Sequence, residues 1–426
     1  METGIFAPAK RTAHRAAPGT LRVALAGCGV VGTAFLREIE AQRHRIAERH
    51  GLALEITGVL VRDAVRDRGT FVDQRKFTSD VDAFLALDSD VVVETIGGLD
   101  PAQRLATHAL ERGRAVVTAN KALLAACGTR LSSLAASSGT SLRYDAAVGG
   151  GVPVLRMLDD ALGGGGATAV RGILNGTSNF VLGCLERGAS LAEALQEALA
   201  AGFSERDATR DLDGRDSADK IALVAWAAFG VPPEQLVVHR QSLLPCPERY
   251  VALAARLGLR VKHVSECALV DGRVIARVEP LLVHERSAFA QTNDERNHVE
   301  VDAGWRSPLC ASGPGAGGAP TATALVSDLL STGARSSPTA TTCSGLPDPR
   351  VAAWALEIRG APSVLHHSVP DCGLVATDAS ATAAWTTIAR ASRQSIDILL
   401  RQLDALNVHP IVARFDESCC RTEVVR

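Results

Sequence analysis

An α/β fold, with a parallel-sheet first domain and an α+β second domain, follows from three features of the sequence. The first is an apolar run at 21–26 that breaks into Gly27-Cys28-Gly29-Val30-Val31-Gly32 and then into a helical pattern at 33–51. That is strand, glycine turn and helix, in that order. The second is the alternation that follows, with strands at 56–61, 90–94 and 115–118 and a helix near 101–112. Strands alternating with helices build a parallel sheet covered on both faces, because each crossover lays its helix on the sheet. The third is a change of pattern after Val148, where glycine clusters at 149–151 and 163–166 give way to longer amphipathic helices and antiparallel strands.

Within the second region, Ser190 followed by Glu193 has capping-box spacing ahead of Leu191, Leu195 and Leu199, which lie along one helical face. Residues 216–229 read as another helix, with Asp216 as its N-cap and Gly230 just past its end. Alternating segments at 259–283 meet at Asp271-Gly272, a hairpin signal. The stretch "GPGAGGAP" at 313–320 precedes an apolar helix at 321–330, and a Ser/Thr/Gly-rich linker follows. A separate small unit then shows strands at 353–358, 383–390 and 411–415 and a helix near 396–406. The expected organisation is a tail at 1–20, a first domain at 21–147 completed by 313–332, a middle domain at 148–312, a linker at 333–348 and a C-terminal unit at 349–426.

Composition excludes several classes of function. The 426 residues are 46% hydrophobic and 22% charged, an ordinary globular balance, and no apolar run approaches the roughly 18 to 20 residues that span a bilayer. Net charge is −2, from 45 basic against 47 acidic residues, so no global field recruits nucleic acid. The expected partner is a small molecule, not nucleic acid or membrane. Ten cysteines, with no CxxC pair and no Cys/His cluster at zinc spacing, read as reduced thiols of a cytoplasmic protein. Five lysines stand beside 40 arginines, so where a generic positive charge suffices this chain uses arginine.

The glycine turn carries a dinucleotide-binding reading. Gly27 permits the tight turn, Gly29 lets a pyrophosphate approach the backbone, and Gly32 lets helix and strand pack closely. After the second strand, Arg62 precedes Asp63. An acid there would bind a ribose 2′-hydroxyl and an arginine a 2′-phosphate, so NAD and NADP both stay open.

Six segments, "VVVETIGG" (91–98), "VVTANKALLA" (116–125), "YDAAVGGGVPVL" (144–155), "GILNGTSNFVL" (172–182), "GFSERDATRDLDGRDSADK" (202–220) and "GPGAGGAPTATALVSDL" (313–329), occur in the order and spacing of homoserine dehydrogenases. The chain resembles that family over about 20–330. The resemblance implies reversible hydride transfer between L-aspartate 4-semialdehyde and L-homoserine with NAD or NADP, in threonine and methionine biosynthesis. It also implies a Rossmann domain, a middle substrate and dimerisation domain, a homodimer, and a C-terminal ACT-type module with its first helix much shortened and Ser363 in place of a usual glycine.

Carried over by motif, Lys121 and Lys220 are similar to the family's active-site lysines, and Glu205 and Asp211, with Gly202, to its substrate contacts. Val30, Val31, Thr95, Gly97, Lys121 and Gly317 join Gly27, Gly29, Gly32 and Arg62 around the cofactor. Asp145, Val148, Gly150 and Val152 resemble a monovalent-cation site for sodium or potassium, where the family usually has glutamate in place of Asp145. Ala208, where proline is common, and the irregular segment 292–301 are further departures. The lysine chemistry is plausible unaided. Hydride delivered to an aldehyde leaves charge on its oxygen, which needs a cationic donor and then a proton. An ammonium can release that proton, whereas a guanidinium stays charged. Asp216, four residues before Lys220, shares its helical face and can orient it.

Overall fold

The computed structural model describes residues 19–162, 166–304, 308–332, 351–359, 373–379, 384–404 and 411–416. Most of the expected tail, the 333–348 linker, Ser363 and its ACT-like surroundings, and Cys343, Cys372, Cys419 and Cys420 lie outside the described residues.

Strand β1 (Gly19–Ala26) turns through the glycines into α1 (Val30–His50). There follow β2 (Leu52–Leu60), β3 (Phe77–Thr78), α2 (Val81–Leu85), β4 (Val91–Glu94), α3 (Ala102–Glu111), β5 (Ala115–Thr118), α4 (Lys121–Ser137) and β6 (Leu142–Arg143). The strands form one parallel sheet in the order β3-β2-β1-β4-β5-β6. Strand order reverses between β1 and β4, and a crevice opens beyond the carboxyl ends of strands at such a switch point. β4 and β5 are buried along their whole length, which is why they read as unbroken apolar runs.

The second region contains α5 (Val154–Leu162), β7 (Ala169–Ile173), α6 (Gly176–Glu186), α7 (Leu191–Ala200), α8 (Thr209–Leu212), α9 (Arg215–Phe229), β8 (Val238–Arg240) and α10 (Pro247–Arg256). It continues through β9 (Arg260–Val270), β10 (Arg273–Val283), α11 (Ala288–Gln291), β11 (Arg296–Asp302), β12 (Leu309–Pro314) and α12 (Gly318–Leu330). The β9–β10 hairpin turns at Asp271 and Gly272, both at positive φ, the geometry that a two-residue Asp-Gly loop favours. The Ser190–Glu193 capping box is present. α12 returns to the first sheet, where Ala322, Leu325, Val326 and Leu329 pack with Val23, Leu25 and Phe35.

Three local expectations are corrected. Asp216 is not the N-cap of α9; Gly214, in the left-handed region at φ 82°, takes that position and Asp216 falls in the first helical turn. In α7, Leu191 and Leu195 pack against the core beside the fully buried Ala194 and Ala198, but Leu199, a turn further on, is exposed. The segment 292–301 is not irregular throughout, since β11 occupies most of it.

The C-terminal region comprises β13 (Val351–Arg359), β14 (Gly373–Ala379), β15 (Ala384–Ser392), α13 (Arg393–Asp404) and β16 (Ile411–Phe415). It is not set apart from the middle domain: β16 pairs in parallel with β10, so one sheet runs β12-β11-β7-β9-β10-β16-β13-β15-β14, with β8 also on β10. A buried ionic cluster crosses this seam. Glu279 faces Arg277 at 3.2 Å, Arg393 at 2.9 Å and Arg414 at 2.5 Å, and Glu266 faces Arg277 at 2.7 Å and Arg414 at 3.0 Å. Arg393 also lies 5.4 Å over the Trp354 ring.

Candidate active site

The glycine turn sits at the switch point. Gly27 has φ +99°, and a Cβ there would lie 2.8 Å from the Thr95 carbonyl; a Cβ on Gly32 would lie 2.2 Å from the Gly27 oxygen. A Cβ on Gly29 would meet nothing within 4 Å. The protein's own packing therefore requires the first and third glycines, and the second faces open space where a pyrophosphate can approach. The Thr95 hydroxyl donates to the Gly27 carbonyl at 3.0 Å. Gly97, at φ +78°, also faces open space. Gly317 precedes α12 at φ +108°, and Gly318 lets that helix press on Val30, the exposed first residue of α1 next to Val31. These residues fit a dinucleotide. Gly32→Ala is expected to cost about 1–3 kcal/mol of turn geometry, weakening coenzyme binding about ten- to hundredfold, as read by titration of reduced-coenzyme fluorescence.

Beyond β2, Arg62 and Asp63 are both exposed. The Asp63 carboxylate accepts the backbone N–H of Val65 at 3.0 Å and of Arg66 at 3.2 Å. It is committed to its own loop. Among the described residues the Arg62 guanidinium has no hydrogen bond or ion pair.

Buried Glu94 ends β4 and accepts from Ile96 N–H at 2.8 Å, Gly97 N–H at 3.2 Å and the Thr118 hydroxyl at 2.6 Å. Asn120 donates to the Gly98 carbonyl at 2.7 Å while its Oδ1 accepts from Leu123 N–H at 3.1 Å. Asn120 thus caps α4 and makes Lys121 its first residue. A cation at a helix N-terminus opposes the macrodipole, so Lys121 is not placed there for helix stability.

Lys121 ion-pairs with Asp216 Oδ1, and Lys220 Nζ lies 2.9 Å from Asp216 Oδ2. One carboxylate therefore joins a lysine of the first domain to a lysine of the second across the crevice. Lys220 also donates to the Leu174 carbonyl at 2.7 Å. Asn175, the N-cap of α6, donates to Asp216 Oδ2 at 2.9 Å and to Asp211 Oδ1 at 2.7 Å. Burial pushes the Asp216 carboxyl up, but Lys220 and Lys121 outweigh it and hold the group well below the usual carboxylate range. Burial lowers the Lys220 ammonium, opposed by Asp216 and reinforced by Lys121. Burial raises Asp211, which Asn175 partly offsets.

The 145–152 loop holds a buried carboxylate. Asp145 Oδ1 accepts from Leu155 N–H at 3.0 Å, and burial pushes the group up to about 6 against that hydrogen bond. Asp145 has no ion pair among the described residues, and the Val148 and Gly150 carbonyls are engaged by no hydrogen bond among them. The Val152 carbonyl accepts from Val154 N–H at 2.8 Å. A carboxylate and free carbonyls are hard oxygen donors, so the loop fits a small cation.

The structure thus brings Lys121, Asp211, Asp216 and Lys220 together. It does not bring Glu205 or Gly202 into that network; both are exposed, and Glu205 has no hydrogen bond or ion pair through its carboxylate among the described residues. Asn175, Glu94 and Asn120 were not singled out by sequence reasoning, although all three lie in the motifs quoted above. The usable signal was an Asn directly before a helix start, at 120 and at 175.

Two family models match the chain: homoserine dehydrogenase over 153–330 and the homoserine dehydrogenase NAD-binding domain over 27–145. The homoserine dehydrogenase of Mycobacterium tuberculosis is 38% identical over 315 residues, covering 72% of this chain and 71% of its own. The chain belongs to the homoserine dehydrogenase family. The family's Bacillus subtilis enzyme is 32% identical over 312 residues, covering 73% of this chain and 72% of its own. The crystal structure of a homoserine dehydrogenase from Thiobacillus denitrificans superposes with a TM-score of 0.83 at 27% identity, covering 94% of this chain and 99% of its own. A hyperthermophilic archaeal homoserine dehydrogenase, solved in complex with NADPH, shares the fold at 21% identity and a TM-score of 0.61, covering 74% of this chain and 98% of its own. No helix among the described residues is long and apolar enough to cross a membrane.

Proposed function

We propose that this chain interconverts L-aspartate 4-semialdehyde and L-homoserine with NADP(H), in the route to threonine and methionine. The observation that carries the reading is Asp216 held between Lys121 and Lys220 at the mouth of the crevice. The nicotinamide, when bound, supplies or accepts the hydride. Gly27, Gly29, Val30, Val31, Gly32, Thr95, Gly97 and Gly317 line the cradle that would hold the coenzyme. Lys220 donates a proton to the aldehyde oxygen during reduction and takes it back during oxidation. Asp216 orients Lys220, and Lys121 adds positive charge where the alkoxide develops. Asp211 and Glu205, beside Gly202, suit the substrate's α-ammonium group. An initial-rate assay with homoserine and either nucleotide tests the proposal; folded protein that binds nucleotide but reduces neither would overturn it.

The free Arg62 beside a committed Asp63 supports NADP over NAD, since a guanidinium pairs with a 2′-phosphate. Losing a hydrogen bond to a charged group costs about 1.5–3 kcal/mol. Arg62→Ala is therefore expected to raise KM for NADP roughly ten- to hundredfold and to leave KM for NAD nearly unchanged, as measured by initial rates.

Asp145 with the Val148, Gly150 and Val152 carbonyls would hold sodium or potassium, which would neutralise the buried carboxylate. We read the protein as a cytoplasmic homodimer, with 21–147 and 313–332 as the dinucleotide domain, 148–312 as the substrate and dimerisation domain, and 349–426 as an ACT-like unit. The strand order β16-β13-β15-β14 supports the last assignment.

A further inference from the structure

β11 and β12 pair antiparallel, with His298 opposite Ser312 and Glu300 opposite Cys310. Side chains two apart on a strand share a face, so these four groups stand together on one side of the hairpin. Val299 and Val301, which alternate with them, join the core beneath α9. The four therefore lie on the opposite face of the sheet from the catalytic helix.

The imidazole of His298, the carboxylate of Glu300 and the thiol of Cys310 bring ligand atoms within 4.8 Å of one another. His298 is 3% exposed and its ring is held on several sides. Nδ1 lies 2.6 Å from Ser312 Oγ, and the edge of the Phe289–His298 pair closes at 5.2 Å between centroids. Nε2 lies 3.3 Å from Glu300 Oε1, a span that one ion held at about 2 Å from each atom can bridge. The other oxygen, Glu300 Oε2, accepts from Arg171 at 3.0 Å, and Arg171 is itself tied to Asp416 at 3.1 Å. Such outer contacts orient metal-binding imidazoles and carboxylates and leave one atom of each free to ligate.

We propose that His298, Glu300 and Cys310 form a zinc-class metal site, distinct from the catalytic crevice and from the 145–152 loop. The mixed nitrogen, oxygen and sulfur donors suit zinc and disfavour magnesium and calcium, which take oxygen ligands. Cys310, the exposed member, donates its thiol to the Pro308 carbonyl at 3.6 Å and supplies the third ligand on binding, with water in the fourth position. On binding, the Cys310 thiol gives its proton to solvent and the thiolate ligates; no electrons are transferred. The hairpin so clamped runs directly into Gly315–Gly318, the segment pressed on Val30 at the coenzyme cradle.

Cobalt(II), added alone to the full-length chain, is the probe, with zinc as competitor. One equivalent per chain is expected to give the visible bands of a tetrahedral ion and a near-ultraviolet thiolate-to-cobalt charge-transfer absorption. Zinc should abolish both, and the apparent affinity should rise with pH, because binding releases a proton. Cys310→Ser is expected to remove the charge-transfer absorption and to weaken zinc binding by at least about a hundredfold, with homoserine oxidation unchanged. His298→Gln should weaken it as strongly. Because Cys310 is exposed, its variant carries the test even if the His298 variant loses its fold. Survival of the charge-transfer absorption in Cys310→Ser, or failure of the wild-type chain to bind stoichiometric zinc at micromolar concentration, overturns the proposal.

Discussion

Replacing Lys220 by methionine is expected to lower kcat in both directions by about 10²–10⁴, the usual range for a lost general acid-base group, while the coenzyme still binds. The reasoning starts from burial. The Lys220 side chain is 11% exposed, and desolvation lowers its proton affinity even with Asp216 beside it. A lysine so placed gives up its proton more readily than an exposed one, and its neutral amine is reached at a lower pH. Homoserine oxidation needs the neutral amine, so its rate should rise with pH along a limb below the ordinary lysine value and then level off. Reduction needs the ammonium and should fall along the same limb. Lys220→Met should abolish the limb as well as the rate. Lys220→Arg should not restore turnover, because a guanidinium does not titrate in this range. The checks are kcat against pH and coenzyme binding on the same preparations. Wild-type turnover in Lys220→Met would remove Lys220 from the mechanism.

Glu279→Ala is expected to destabilise the protein by about 3–5 kcal/mol, the cost of removing one partner from a buried ionic group. Glu279 is 1% exposed and faces Arg277, Arg393 and Arg414. Without it, Arg277 and Arg414 keep their contacts with Glu266 and Arg393 keeps Asp397 at 2.8 Å, but each loses a buried counter-charge. Those charges come from β10, β16 and α13, so the loss is expected to loosen the C-terminal unit from the middle sheet first. Denaturant unfolding followed by tryptophan fluorescence checks this, because Trp354 stacks under Arg393 and reports on the seam. An unchanged unfolding midpoint would show that the cluster contributes nothing net.

Much of the first domain was legible in the sequence, β1, α1, β2, β4, α3 and β5 among it, whereas β3, α2, α4 and β6 were not read. Its signals are local: an apolar strand, glycines required by a backbone approach of 2.2 Å at Gly32, and helices ended by their own caps. The Asp216–Lys220 ion pair was legible for the same reason, since four residues on a helix bring two side chains together at 2.9 Å. Asp216 was misread as an N-cap because the left-handed Gly214 that starts α9 looks in sequence like any other glycine.

Contacts that span long stretches of chain had no such signature. Lys121 reaches Asp216 from 95 residues away, and Asn175 joins Asp211 to Asp216 only because α6 and α9 start side by side. The thiol at Cys310 meets His298 and Glu300 through strand register, which cysteine spacing does not encode. The C-terminal strands read as a separate unit because their alternation is local, whereas their attachment to β10 depends on Arg414 and Glu279 meeting inside the sheet. Sequence alone therefore determined the fold class, the coenzyme turn and the family's reaction, each written in short-range periodicity and motif. Tertiary structure decided which charges share a proton or a partner, because burial and distance across the crevice, not position along the chain, set the strength of those interactions.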